Sequence, residues 1–402
     1  MTIYLDNAAT TPLRAEALDA MLPFLRGVYA NPSSSHSEGQ MVRRALDEAR
    51  ERTGAALNAH PSEIVFTGSG SEADCLAIFG MLDAHGRAQG HFITSSIEHH
   101  AVLHAAEELR ARGHCVTIVP VDREGLVREE ALVRALAERP PTRSSEDPVP
   151  TLVSIMHANN EIGTMEPIAK FASVAHAHGA LFHTDAVQTV GHVPVDVKQL
   201  GVDALTLSAH KFEGPKGVGA LYVRDGVSLK PLVFGGGQEG GRRSGTENVA
   251  GIIGLSIALE LAVRDMKRDE IVALRDELID RVLASIPHSA LNGARRERLP
   301  NNASLRFDGV EGQTVVLGLD LAGFSTSTGS ACASGSLEPS PVLTAIGLEP
   351  EKARSTVRFS LGRMTRKDDI ERLLAVLPGI IERLRTLTDA LVIGGGVASR
   401  AE

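Results

Sequence analysis

The 402-residue chain contains no tryptophan, and aromatic residues make up only 3% of it. Proteins that grip single-stranded nucleic acid stack its bases on aromatic rings, so the composition disfavours that class of function. Basic charge is also short. Lys and Arg number 41 against 50 Asp and Glu, a formal net charge of −9. A sequence-independent nucleic-acid binder instead needs a basic face to displace phosphate counterions. Three cysteines, Cys75, Cys115 and Cys332, are too few for a disulfide framework, and neither Cys-x-x-Cys nor a zinc-finger spacing occurs. No metal is expected. Apolar runs of about 18 residues are missing, which argues against a transmembrane helix. The opening Met1-Thr2-Ile3-Tyr4-Leu5-Asp6 lacks the basic and apolar regions of a secretory signal. A reduced, cytoplasmic protein is expected. Glycine is the residue in surplus, at 39 of 402 against a usual ~7%, and part of that surplus is expected at sites. Hydrophobic residues at 43% and charged residues at 23% fit an ordinary globular protein long enough for two or three domains.

Apolar spacing predicts a helix over 37–57 and a strand at 64–67 that runs into Gly68-Ser69-Gly70-Ser71-Glu72. Strands at 91–94, 114–121, 151–156, 180–184, 204–208 and 218–223 alternate with helices at 99–112, 128–138 and 167–178. Such alternation means βαβ units and a parallel sheet covered by helices on both faces. The polar, proline-rich stretch 139–148 reads as a surface loop. From Asn248 to about Pro287 the pattern is nearly all helical, and beyond it strands at 303–307 and 356–360 mix with helices at 313–321 and from Lys367. That change near residue 250 is the expected domain boundary.

In open parallel sheets ligands bind at the carboxyl ends of the strands. The polar residues falling there are Gly68–Glu72, Glu98-His99-His100, His157 to Glu161, Asp185 to Gln188, and Ser208-Ala209-His210-Lys211. No G-x-G-x-x-G follows the first strand and no G-x-x-x-x-G-K-[ST] occurs, which sets aside dehydrogenases and nucleotide hydrolases. Singly, each group has a plain reading: a serine N-cap, an aspartate N-cap, a solvated lysine. Together they meet the needs of pyridoxal phosphate. The Gly/Ser turn can cradle a phosphate, an acid can hold the pyridine N–H, and a lysine can form a Schiff base. Lys211 and Lys216 are the two candidate lysines.

The motifs extend over nearly the whole chain. Ile3 to Thr11, Asn31-Pro32-Ser33-Ser34 with His36, Glu98 to Val102 and Met156 to Gly163 resemble the cysteine desulfurases of the class V aminotransferase family. So do His183 to Gln188, Ser208 to Lys211, Arg243 to Thr246 and Gly329-Ser330-Ala331-Cys332, the last extending toward the subgroup that serves iron–sulfur cluster assembly. The resemblance implies a fold-type I pyridoxal-phosphate enzyme of α/β class, with a mostly parallel sheet covered by helices and a smaller α+β C-terminal domain. Residues 13–250 would form the large cofactor-binding domain. Residues 1–12 and 251–402 would form the small one, carrying the catalytic cysteine. By the same resemblance Lys211 carries the cofactor and moves protons, Asp185 pairs with the ring nitrogen, Gln188 bonds the ring hydroxyl, and His99 stacks on the ring and acts as a catalytic acid or base. Gly70, Ser71, Ser208 and His210 hold the phosphate, with Thr246 arriving from the other subunit of a homodimer. Asn160 and Arg358 hold the substrate carboxylate, and Cys332 takes the sulfur of L-cysteine as a persulfide, leaving alanine. A sulfur-acceptor protein, such as an iron–sulfur scaffold, is the implied partner. The Ser/Thr/Gly/Ala-rich stretch 325–336 around Cys332 is expected to be mobile, as a small, polar segment able to expose a thiolate. Selenocysteine lyase, another class V aminotransferase and a catalytically idle assembly scaffold stay open as alternatives.

Overall fold

The computed structural model describes residues 2–84, 89–138, 149–329 and 339–398. The segment holding Cys332 and the proline-rich stretch 139–148 lie outside those residues, as do the expectations attached to them.

The chain opens with β1 (Ile3–Tyr4), α1 (Ala15–Arg26) and α2 (Ser37–Leu57). The alternating part follows: β2 (Ile64–Thr67), α3 (Gly70–Asp83), β3 (His91–Ser95), α4 (His100–Ala111), β4 (Cys115–Val119), α5 (Glu129–Ala137), β5 (Thr151–Ser154), α6 (Ile168–Ala177), β6 (Leu181–Asp185), α7 (Val197–Leu200), β7 (Ala204–Ser208) and β8 (Gly219–Val223). The main sheet has the order β2-β8-β7-β6-β5-β3-β4. Neighbours from β7 to β4 run parallel, while β8 is antiparallel to both β7 and β2. The connection from β7 to β8 is only ten residues long, too short for a helical crossover, so the chain must turn back.

Side chains alternate between the two faces of this sheet. Ile64, Phe66, Ile93, Val153, Leu205 and Leu207 enter one core with α2, α6 and α8. Val65, Phe92, Leu152, Ala204 and Leu221 enter another with α3 and α4. The result is a three-layer α/β/α unit, the fold class the alternation predicts.

The rest of the chain supplies α8 (Val249–Arg264), α9 (Arg268–Ser285), β9 (Ser289–Leu291), β10 (Asn302–Phe307), α10 (Gly312–Leu321), β11 (Phe324–Ser325), α11 (Pro341–Ala345), α12 (Pro350–Arg354), β12 (Thr356–Ser360) and α13 (Lys367–Ala398). Strands β12-β10-β9 form an antiparallel sheet with its own core, built with α9, α10 and α13 and joined by Ile3 and Leu5. Helix α8 belongs elsewhere. Its Ile252, Ile253, Leu255, Ala258 and Leu259 lie in the core of the large sheet, whereas Ile271 of α9 lies in the second core. A division between α8 and α9 fits the two cores better than one at residue 250, and we propose it. Among the described residues no helix is long and apolar enough to cross a membrane.

Candidate active site

Residues 8–10 and the segments that leave β2, β3, β5, β6 and β7 line one cavity of about 580 Å³, within the range of about 300–1,000 Å³ usual for small-molecule sites. At one end Ser69 caps α3, its Oγ accepting the Glu72 N–H at 3.1 Å. Gly70 and Ser71, the first residues of that helix, line the cavity where helix-terminal N–H groups and the helix dipole favour an anion. A Cβ on Gly70 would sit 3.0 Å from Val187 Cγ2 and 3.2 Å from Ser208 Cβ, so glycine lets the helix start seat tightly against β7. Ser208 lines the same end. His210 places Nδ1 3.1 Å from Thr10 Oγ1, and burial with Lys211 and Lys216 nearby holds its pKa down at about 4.

The carboxylate that ends β6, Asp185, is 5% exposed and accepts the Val187 N–H at 2.9 Å. Burial raises its pKa, while His99, that N–H and Lys211 pull the other way. His99 caps α4, its Nδ1 accepting the Ala101 N–H at 3.1 Å. Burial lowers its pKa, so the ring is neutral with its proton on Nε2. Lys211 ends the short turn Ala209–Lys211 after β7 and donates from Nζ to Ala8 O at 2.6 Å and Ala9 O at 2.9 Å. Gln188 Nε2 donates to the same Ala8 O at 3.1 Å. Lys216 is exposed where it borders the cavity.

Arg358, on β12, also lines the cavity. Its Nη1 donates to Asn160 O and Gly329 O, both at 2.9 Å, and its Nη2 pairs with Asp6 at 2.9 Å. Its Nε is buried without a partner among the described residues. The guanidinium is thus held in place with a donor to spare, as recognition of a carboxylate requires.

The cavity therefore gathers Gly70, Ser71, His99, Asn160, Asp185, Gln188, Ser208, His210, Lys211 and Arg358 from distant parts of the chain. Thr246 is exposed and does not line it. Sequence reading gave no role to Asp6, to the Ala8 and Ala9 carbonyls, or to the buried acids Asp74, Glu98 and Glu161. Asp6, Glu98 and Glu161 stand inside recognised motifs, which was the available signal. The carbonyls carry no side-chain signal at all. Among the described residues no group of three or more His, Cys, Asp or Glu is placed to hold a metal ion.

The aminotransferase class-V family matches residues 3–373. The chain belongs to this family. Within it, the chain is 50% identical over 388 residues to the cysteine desulfurase IscS of Dictyoglomus turgidum, covering 96% of each. It is 47% identical to the IscS of Methanosarcina thermophila, covering 96% of this chain and 93% of the relative. Among solved structures, a NifS-like protein superimposes with a TM-score of 0.86 at 34% identity, over 96% of this chain and 100% of that one. The structure of SspA in complex with cysteine gives a TM-score of 0.77 at 37% identity, over 90% and 99%. These relatives place the chain among the cysteine desulfurases.

Proposed function

We propose that this protein is a pyridoxal 5′-phosphate-dependent cysteine desulfurase that converts L-cysteine to L-alanine. The sulfur passes to Cys332 as a persulfide, for delivery to an acceptor protein in iron–sulfur or thio-cofactor assembly. One observation carries the reading: the anion-cradling start of α3, the buried Asp185 carboxylate and the Lys211 amine face one cavity that Arg358 also lines. The residues fit the cofactor. Gly70 leaves room that a Cβ would fill, and Asp185 presents a buried carboxylate suited to a ring N–H.

Pyridoxal phosphate, when bound, supplies an aldehyde that condenses with amines and a ring that draws electrons from the attached amino acid. The chain does the rest. Gly70, Ser71, Ser208 and His210 hold the phosphate, and Gln188 the ring hydroxyl. Asp185 gains a positive partner in the ring N–H, which favours its ionised form as Lys211 already does. Lys211 Nζ holds the cofactor and moves the substrate Cα proton. His99, which lines the cavity, would stack on the ring and offer its Nε2 proton. Arg358 and Asn160 orient the substrate carboxylate. The Cys332 thiolate attacks the substrate sulfur, so that an S–S bond forms as the C–S bond breaks. The bonding pair stays with the substrate carbon, which takes a proton and leaves as alanine.

A homodimer in which Thr246 reaches the partner's phosphate site is part of this reading. It is supported by the exposure of Thr246 and of Tyr29, Leu232, Val233 and Phe234, apolar side chains that a second subunit would cover. The free thiols Cys75 and Cys115 suit a reduced cytoplasm. The test is alanine and sulfide release from L-cysteine by cofactor-loaded protein with dithiothreitol, with L-selenocysteine in a parallel assay. No alanine from either substrate would overturn the reading.

A further inference from the structure

Glu98 immediately precedes His99 and is 2% exposed. Its Oε1 accepts two hydrogen bonds, from Ser95 Oγ at 2.6 Å and from the Met156 N–H at 3.0 Å. Its Oε2 is buried and has no partner among the described residues, and the residue lines the cavity. An ionised carboxylate in that state would leave one oxygen uncompensated, at a cost of several kcal/mol. A neutral acid leaves only an uncharged hydroxyl there, at a smaller cost. Because both partners of Oε1 are donors, the proton of the neutral form belongs on Oε2.

We propose that Glu98 serves the desulfurase reaction as an uncharged positioning residue, tying the turn that presents His99 to the exit of β5 and keeping a second negative charge away from Asp185. The tie joins two strand ends, since Met156 follows β5 while Ser95 ends β3. A second bond, from Asn159 Nδ2 to Ile97 O at 2.7 Å, pins the same turn. The titratable groups around Glu98 are Asp185 from β6, Asp74 from α3, Glu166 ahead of α6 and His99 in its own turn, with His100, Glu161, Lys211 and Arg358 lining the same cavity. Four of these are carboxyls, and burial leads the forces that raise Glu98 to about 8. Asp185 holds its own charge more readily while the neighbouring carboxyls stay neutral. As pH rises through that value Glu98 ionises, and the arrangement is lost.

The proposal rests on the desulfurase reading for its rate measurements only. Infrared difference spectra of cofactor-loaded protein, wild type minus Glu98→Gln, isolate this carboxyl without turnover. A protonated-carboxyl band at neutral pH, converting to carboxylate with a midpoint of about pH 8, is expected. A carboxylate band at neutral pH overturns the proposal. Glu98→Ala should weaken cofactor binding about tenfold by leaving the Met156 N–H unpaired, and Glu98→Gln should recover most of that loss. The Gln variant should also lack the wild-type fall in kcat/KM above about pH 8. The same alkaline fall in both proteins, or no recovery by Gln, would count against the role. Should Glu98→Gln fail to fold, glutamate-labelled Glu166→Gln protein leaves Glu98 as the glutamate expected to titrate near 8. A wild type inert toward cysteine would argue against the desulfurase reading and leave the infrared result standing.

Discussion

Replacing Arg358 with lysine preserves the charge and removes the fork. The guanidinium makes three contacts with the protein, to Asn160 O, Gly329 O and Asp6, and has a buried Nε–H in reserve. An ammonium cannot keep those three and also offer two parallel donors to a carboxylate. The expected loss is two charge-assisted hydrogen bonds to the substrate carboxylate at about 1.5 kcal/mol each. That is about 3 kcal/mol, or about a hundredfold in kcat/KM for L-cysteine. Most of it should appear in KM, since the lost contacts hold a group that does not react. The assay is alanine release against cysteine concentration, beside a titration of cofactor binding by absorbance. A change in kcat/KM under about threefold, or an equal loss of cofactor affinity, would refute the carboxylate role.

Lys211→Ala should abolish turnover and the covalent link to the cofactor, whereas Lys216→Ala should keep the link; borohydride reduction and peptide mapping decide between them, and a modified Lys216 would sink the assignment. Cys332→Ala should still bind cofactor and cysteine, seen as a spectral change, yet release little alanine; normal alanine output with dithiothreitol would show that another group takes the sulfur. Gly70→Ala normally favours a helix by up to about 1 kcal/mol, but here the new methyl meets Val187 and Ser208 at 3.0 and 3.2 Å. We expect overpacking to win by about 1–3 kcal/mol and to weaken cofactor binding about tenfold, read by equilibrium titration; unchanged affinity would mean the helix start does not carry the phosphate.

The alternating elements were legible because their apolar residues repeat with clear periods. The strand starting at Ile64 and the helix ending at Leu57 fall where the spacing puts them. The direction of β8 was not legible as such, although the ten residues before it are too few for a crossover. Helix α1 has a weak signal in the sequence because Ala15 to Arg26 includes Pro23 and buries fully only Ala17. Helix α8 reads as a helix, but which core it joins depends on its packing against α1 and α2, a tertiary choice that periodicity does not encode. In the site, side chains in dense motifs could be assigned by resemblance. The Asp6–Arg358 pair spans 352 residues, and the carbonyls that receive Lys211 Nζ have no chemical label in the sequence.

The segment 3–11 crosses both structural units. Ile3 pairs with Phe324, Asn7 Nδ2 and Ala8 N donate to Ser360, and Thr11 N donates to His210 O. The ribosome makes this segment long before β12, its partner, exists. Until synthesis reaches residue 360 this wall of the cavity has only its contacts with the large unit, through Gln188, His210 and Lys211, and lacks those with Ser360, while the large sheet already has all its strands. The nascent chain should therefore gain a folded α/β layer well before it gains a binding site, with the closing contacts among the longest-range in the molecule and so among the slowest to form. A growing chain would be kept from trapping cofactor or substrate in a half-built pocket by the order of synthesis alone.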